Sequence, residues 1–144
     1  MVQVTSSSMA LDYHFETGML FWSDLKEHCI YKAPIDEGQA KTVVGTGSVI
    51  NAEGLAVDWI YHHLYWTDPP QHSIQIADFK GKWQKSLVSD GVQEPRAIAV
   101  DPLQGSVATL SLISPFFQSL LQPTSIPILI RNFLFSLSAD QPSS

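Results

Sequence analysis

The stretch that decides the fold runs from Gly54 to Asp68 and reads Gly54-Leu55-Ala56-Val57-Asp58-Trp59-Ile60-Tyr61-His62-His63-Leu64-Tyr65-Trp66-Thr67-Asp68. Residues 55–58 form a short apolar run opened by a glycine, which is typical of a strand buried on both faces. Positions 64, 66 and 68 then alternate with positions 65 and 67, and this period of two indicates a second strand. Because only residues 59–62 separate the two strands, the stretch predicts a β-hairpin.

This hairpin is part of an internal repeat. A shift of 44 positions, from residue 21 to residue 65, places Phe21-Trp22-Ser23-Asp24 on Tyr65-Trp66-Thr67-Asp68. Turn residues divide each copy into four short segments with strand character. The predicted strands are residues 10–13, 20–24, 30–35 and 41–44 in the first copy and 54–59, 64–68, 74–79 and 85–89 in the second. Four strands in each period of about 40 to 45 residues is the pattern of a propeller blade.

A third copy begins at residues 95–102 and then loses the pattern. Asp101 lies 43 positions after Asp58, so an aromatic residue, Trp, Thr and Asp should occupy positions 108–111, where the chain has Ala108-Thr109-Leu110-Ser111. Between residues 106 and 139 the only charged residue is Arg131. We therefore expect the repeat to cover residues 9–105, after a disordered N-terminus at residues 1–8. Residues 106–144 are expected to be a tail foreign to the repeat, poorly ordered or packed on exposed apolar strands.

Composition argues against several classes of protein. The net charge is −6 and the 8 Lys and Arg residues do not cluster, which argues against a nucleic-acid surface. The N-terminus has no secretory-signal pattern, and the most apolar segment, residues 126–137, is shorter than the ~20 residues that span a bilayer, so we expect no direct membrane insertion. Cys29 is the only cysteine. We interpret it as a half-buried strand residue, with a reactive or crosslinking thiol as the alternative.

The repeat resembles a known family. The motif-bearing residues are Phe21-Trp22-Ser23-Asp24, the run from Glu53 to Trp59, Tyr65-Trp66-Thr67-Asp68 and the run from Pro95 to Pro102. They resemble the YWTD, or class B, repeats of the low-density-lipoprotein-receptor family and are similar to those of its large receptor-related members. In that family six repeats close into a propeller, flanked by epidermal-growth-factor-like and ligand-binding cysteine-rich modules. The resemblance implies an all-β fold: an incomplete six-bladed β-propeller with two four-stranded blades, the first strand of a third and an irregular C-terminal tail.

The resemblance also implies a function. The chain would be a non-catalytic protein-interaction module, a fragment of the extracellular β-propeller of a lipoprotein-receptor-like endocytic receptor that binds ligands and releases them in acid. Two alternatives stay open: a fragment of a Wnt-type signalling co-receptor propeller, and a stand-alone truncated product with little or no function. In the parent receptor this segment would belong to the extracellular part of a membrane protein, whereas the localisation of this chain itself stays open. Expected partners are protein ligands, neighbouring receptor modules, and copies of this chain through the exposed edge at residues 97–101.

The motif residues are expected to have structural roles. Trp22 and Trp66 should pack in the layer between blades, where each buries a large area. Asp24 and Asp68 end their strands and should accept hydrogen bonds from backbone N–H groups of the following turns. The full set of expected structural residues is Trp22, Asp24, Asp58, Trp66, Asp68 and Asp101.

Histidines in loops are the candidates for ligand contact: His62, His63, His72 and His28. His28 and His72 each follow an aspartate by four residues, and we weigh a paired acid sensor against solvated histidines without a role. We expect no metal site from the first three of these histidines with Asp68, because adjacent histidines on a turn point apart and no ligand spacing is recognised. Catalytic and phosphate-binding motifs are missing from the sequence, so we expect neither an enzyme nor a cofactor.

Overall fold

The computed structural model describes residues 7–45, 49–89, 92, 94–111 and 118–119, and in these residues the strands form three antiparallel sheets. The first sheet contains β1 (Ser8–His14), β2 (Met19–Asp24), β3 (Cys29–Pro34) and β4 (Lys41–Val44). The second contains β5 (Gly54–Asp58), β6 (His63–Asp68), β7 (Ser73–Asp78) and β8 (Gln84–Val88), with a 3-10 helix (Pro69–Gln71) after β6. The third contains β9 (Pro95–Asp101), β10 (Ser106–Ser111) and β11 (Gln118–Ser119). The all-β prediction with two four-stranded sheets is confirmed, and each predicted strand matches an observed one to within two residues.

Each sheet is a meander in which consecutive strands pair with each other. The first hairpin of every sheet closes with the same register, and four turn residues separate the last pair. The closing pairs are His14 with Met19, Asp58 with His63, and Asp101 with Ser106. The turns at residues 15–18, 59–62 and 102–105 are therefore equivalent positions of the repeat. No helix in the described part of the chain has the length and apolar character needed to cross a bilayer.

The first two sheets pack through their first strands, β1 and β5. The backbone N–H of Val57 donates to Oδ2 of Asp12 at 2.7 Å, and Nε2 of His14 lies 3.3 Å from the carbonyl oxygen of Trp59. Position 12 thus lies beside position 57 and position 14 beside position 59. The two strands consequently run in the same direction, so the equivalent turns of both sheets lie at the same end.

Gly54 marks a close approach between β5 and β9. A Cβ at position 54 would overlap the carbonyl oxygen of Arg96 and would lie 2.9 Å from Oγ1 of Thr67. That same Oγ1 accepts a hydrogen bond from the Gly54 N–H at 2.9 Å and donates one to the Arg96 carbonyl at 2.7 Å. A single hydroxyl therefore links the first two strands of the second sheet to the first strand of the third.

The hydrophobic core lies between the first and second sheets. Phe21 and Ile30 enter it from the first sheet, and Leu55 and Val57 enter it from the second. Trp66, which was expected between the blades, is fully buried in this core. The apolar run of β5 is buried along its whole length, as expected for a first strand that other strands cover on both faces.

Trp22 lies on the other face of the first sheet. Neighbouring residues of a strand point to opposite faces, and Phe21 points into the core between the sheets. Trp22 therefore points away from the second sheet, where its ring stacks on Tyr31 at a centroid distance of 5.6 Å. The side chain of Trp22 is nevertheless fully buried, and its expected position between two blades stays a prediction. On the same outward face the side chains of Leu11 and Tyr13 are exposed.

The structure also differs from the sequence analysis beyond Gly105. β10 pairs with β9 along residues 106–111, and β11 pairs with β10, so the third sheet extends past its predicted single strand. Backbone hydrogen bonds make this pairing, and they do not require the side chains of the motif. The edge of β9 that was expected to be exposed is consequently covered by β10. The remainder of the predicted tail, residues 112–117 and 120–144, lies outside the described residues, as do residues 1–6 of the predicted N-terminal segment.

The close approach at Gly54 gives a stability prediction. We expect Gly54→Ala to lower the free energy of unfolding by about 1–3 kcal/mol, because the new methyl group must displace the Arg96 backbone and the Thr67 hydroxyl. Urea denaturation of both proteins measures the difference. Gly105→Asn is the control, since no atom lies within 4 Å of a Cβ there and asparagine tolerates the left-handed backbone. Equal destabilisation by the two variants would contradict the prediction.

Candidate functional site

The turns of the sheets gather at two opposite ends of the molecule. The upper end carries the equivalent turns at residues 15–18, 59–62 and 102–105. The lower end carries the turns at residues 25–28 and 69–72, which follow the aspartates of the motif. A strand such as β6 separates the two ends by roughly 16 Å, since a strand rises about 3.3 Å per residue. The ends are therefore distinct surfaces.

The structure divides the four candidate histidines between these ends. His62 lies in an upper turn and His63 at the adjoining start of β6, whereas His28 and His72 end the two lower turns. His28 and His72 have matching left-handed backbones, with φ of 54° and 49°. Nδ1 of His28 donates to Oδ1 of Asn51 at 3.1 Å. The four histidines therefore do not form one site.

The upper end exposes large apolar side chains at positions where turns usually carry polar ones. Phe15 is 84% exposed, Tyr61 64% and Leu103 78%, and each of them belongs to a different upper turn. The turn of Tyr61 also carries Trp59 and Ile60, which are exposed as well. We call this set the upper surface: Phe15, Trp59, Ile60, Tyr61, Trp83 and Leu103. Sequence reasoning selected residues 59–63 for their histidines and missed the apolar character that three separate turns share.

His63 lies among the aromatic rings of the upper surface. Its ring is 6.4 Å from that of Tyr61, in a stacked arrangement, and 5.3 Å from that of Trp83, edge to face. Lys85 Nζ lies over the Trp83 ring, 6.0 Å from its centroid. His63 thus contacts two exposed aromatic residues that a partner protein would meet.

A shallow polar cavity of about 210 Å³ lies at the lower end. His72, Pro69 and Pro70 line one side of it, and Glu53, Glu94 and Arg96 line the other. Arg96 forms an ion pair with Glu53 and lies 3.6 Å from Glu94. Because its guanidinium already faces two carboxylates, the cavity offers no uncompensated positive charge to an anionic ligand.

Aspartates fix the turns at both ends. Oδ1 of Asp24 accepts hydrogen bonds from the N–H groups of Lys26 and Glu27, at 2.8 and 2.9 Å. Asp58 and Asp101 do the same for the upper turns that follow them. These bonds satisfy donors that the turn would otherwise leave without a partner.

Asp68 departs from this arrangement. It is buried, and its Oδ1 has no hydrogen-bond partner in the described residues, while Oδ2 accepts only a long bond of 3.4 Å from the N–H of Asn51. Pro69 and Pro70 follow it, and proline has no N–H to donate. The sequence analysis expected Asp68 to accept turn bonds as Asp24 does, but Pro70 lies at the position of Lys26 and removes one of the two donors of the turn.

Cys29 is buried rather than half-buried. Burial raises the pKa of its thiol above the ordinary value, which keeps the thiol protonated and weakly nucleophilic at neutral pH. Its hydrogen bond with Tyr31 is the main cause that raises the pKa of that phenol to about 12. These features favour the structural interpretation of Cys29 over a reactive thiol.

One further group of potential ligands comes together at the upper end. His14, Glu16 and His62 offer ligand atoms that all lie within 4.8 Å of one another. Sequence reasoning missed this group because 48 positions separate His14 from His62. The local signals are two departures from the repeat: residue 14 is a histidine where the other copies have Asp58 and Asp101, and residue 62 is a histidine where they have Gly18 and Gly105.

Known proteins are similar to this chain in sequence and in fold. The model of the low-density lipoprotein receptor repeat class B matches residues 62–102. Mouse (Mus musculus) low-density lipoprotein receptor-related protein 5 is 37% identical over 97 residues, which make up 67% of this chain and 6% of that protein. This chain therefore spans a small part of that relative.

Two solved structures share the fold at low sequence identity. A chain of a nidogen/laminin complex gives a TM-score of 0.71 at 23% identity, over 78% of this chain and 42% of that chain. A chain of Kuenenia stuttgartiensis hydrazine synthase gives a TM-score of 0.63 at 15% identity, over 77% of this chain and 31% of that chain. At these identities the similarity establishes the fold alone.

Asp24 and Asp68 occupy the same repeat position but should contribute differently to the free energy of unfolding. We expect Asp24→Ala to cost about 1–3 kcal/mol of stability, because it leaves turn N–H groups without an acceptor. Asp68→Ala should cost less, because the prolines after it present no N–H group to Asp68. Urea denaturation of the two variants beside the unsubstituted chain provides the comparison. A larger loss for Asp68→Ala would show that this explanation is wrong.

Proposed function

Because the chain belongs to the family of low-density lipoprotein receptor class B repeats, we propose that it is a non-catalytic protein-interaction module whose binding surface is the upper surface. It would act as part of the extracellular propeller of a lipoprotein-receptor-like endocytic receptor. The observation that carries this proposal is the set of exposed apolar side chains shared by three separate turns. Large apolar side chains exposed together at one end of a protein typically mark a site of protein contact.

The composition of the upper surface suits a protein partner. Tyrosine and tryptophan are the residues that most often dominate the binding energy of protein interfaces, and Trp59 and Tyr61 occupy one turn here. The turn itself is held by Asp58, whose Oδ1 accepts the N–H groups of Ile60 and Tyr61 at 3.0 and 2.9 Å. A fixed turn loses little conformational entropy when a partner binds.

The outward face of the first sheet is the competing apolar surface, through Leu11 and Tyr13. In a ring of blades such a face packs against a neighbouring blade. We therefore assign it to contacts within the propeller and the upper surface to the ligand. The two assignments can be separated by mutation, because they use different residues.

Substitution of residues in the upper surface should weaken ligand binding. We expect the double variant Trp59→Ser and Tyr61→Ser to bind low-density lipoprotein particles at least about tenfold more weakly than the unsubstituted chain, as measured by surface plasmon resonance with the 144-residue chain immobilised. The matched control is Leu11→Ser with Tyr13→Ser, which removes another exposed apolar pair and should leave binding unchanged. The opposite result would place the ligand on the outward face.

The choice of probe distinguishes the alternatives. Binding to a secreted Wnt antagonist in place of lipoprotein particles would favour the signalling co-receptor, and laminin, named with the nidogen structure, serves as a third probe. A folded chain that binds none of the three would contradict the proposed function.

Acid-dependent release, if this chain takes part in it, should depend on His63 rather than on His28 and His72. His63 contacts the exposed rings of Tyr61 and Trp83, so a change in its charge would act directly beneath the apolar contact. Asp58 and Asp78 lie opposite it on the two neighbouring strands, and Lys85 Nζ lies over the Trp83 ring that His63 contacts.

This assignment predicts a change in the pH profile. We expect His63→Asn to reduce the difference in affinity between about pH 7.4 and about pH 5.5, whereas the double variant His28→Asn and His72→Asn should retain it. The same binding assay at both pH values measures the effect. A profile that changes only in the double variant would return the role to the lower end.

A further inference from the structure

We propose that His14, Glu16 and His62 form a zinc site that fastens the first sheet to the second at the upper end. Their ligand atoms all lie within 4.8 Å of one another. Small side-chain rotations can bring them around one ion, because Glu16 and His62 are exposed and His14 alone is buried. The proposal does not rest on the proposed function.

The donor set selects the metal. Two imidazole nitrogens and one carboxylate oxygen match zinc sites in which three protein ligands leave a fourth position open to water. Calcium and magnesium prefer sites made wholly of oxygen ligands. A divalent ion of the zinc type is therefore the class of ligand that this group would take.

The repeat itself supplies an internal reference for His14. In the second and third sheets the equivalent position holds Asp58 or Asp101, which accepts two N–H bonds from its turn. His14 cannot accept two such bonds, so the first turn gives up this fixing interaction. Instead, Nδ1 of His14 lies 2.6 Å from Oγ1 of Thr17.

His62 departs from the repeat as well. The equivalent turn positions hold Gly18 and Gly105, with φ of 62° and 63°, and His62 adopts the same left-handed backbone at 58°. This conformation is unfavourable for a non-glycine residue. The two positions at which a histidine replaces the usual residue are thus the two that meet, with ring centroids 5.1 Å apart.

His14 is already oriented in the way that metal-binding histidines usually are. A ligating imidazole typically donates its second N–H to a fixed acceptor, which sets the tautomer and the ring orientation. Both possible acceptors are present: Thr17 Oγ1 for an N–H at Nδ1 and the carbonyl of Trp59, at 3.3 Å, for one at Nε2. In either tautomer the other ring nitrogen carries the lone pair that would bind zinc, and the ion would replace the contact of that nitrogen with Thr17 Oγ1 or with the Trp59 carbonyl.

The site would connect the two sheets across their upper ends. His14 and Glu16 belong to the first sheet and its turn, whereas His62 belongs to the upper turn of the second sheet. An ion bound to all three would hold together elements that are separated in sequence, and it would bind the folded chain in preference to the unfolded one. Zinc should therefore raise the melting temperature.

The test is a titration of the full, untagged chain with zinc chloride, followed by calorimetry and by thermal melting. We expect one ion per chain and a higher melting temperature. His62→Gly should weaken zinc binding at least about tenfold and abolish the rise in melting temperature, while the metal-free protein stays equally or more stable because glycine suits the left-handed backbone. Glu16→Gln, an exposed substitution, should weaken zinc binding in the same direction.

The matched control is His72→Gly. It removes another histidine with a left-handed backbone, at φ 49°, from the opposite end of the molecule, and it should leave the zinc response unchanged. A zinc response that persists in full in His62→Gly, or that disappears in His72→Gly instead, overturns the proposal, as does a chain that binds no zinc.

Discussion

The structure depends on how closely the first strand of one sheet approaches the first strand of the next. Between the second and third sheets the Thr67 hydroxyl accepts from Gly54 and donates to Arg96, in a space that leaves no room for a side chain at position 54. This close approach requires a glycine at position 54, whereas the equivalent position of the first sheet holds Ala10, whose N–H donates to the Ser23 hydroxyl. The remaining strands of each sheet then extend outward as a meander, and their apolar side chains fill the layer between sheets.

The shared direction of the first strands determines which turns lie together at one end of the molecule. Because β1 and β5 run the same way, equivalent turns of successive sheets lie at the same end, and the exposed apolar residues of separate turns share that end. Phe15 and Tyr61 belong to different sheets, yet both are exposed at the upper end. The polar lower cavity is built from the other set of turns, and its Arg96 is occupied by Glu53 and Glu94. The two ends therefore offer a partner different chemistry.

Departures from the repeat carry information of their own. Asp68 keeps the motif aspartate but loses one of its turn donors to Pro70, and Thr109 stands in the register position of Trp66 with its hydroxyl donating to the carbonyl of Ala97 at 2.8 Å. These changes alter one turn and one packing position without changing the topology. His14 and His62 depart from the repeat in a different way, because they meet each other across two sheets.

The sequence by itself determined the strands, their order along the chain and the role of Asp24, since alternation and turn chemistry depend on residues only a few positions apart. The loss of a turn donor at Pro70 could also have been read from the sequence. Only the tertiary structure decided that Trp22 is buried on the face of the first sheet away from the second, that Trp66 lies in the core between the two sheets, that β10 pairs with β9 without the motif, and that His14 meets His62. These features depend on contacts between sheets and on backbone pairing, in which residues distant in sequence meet according to the direction and separation of the strands.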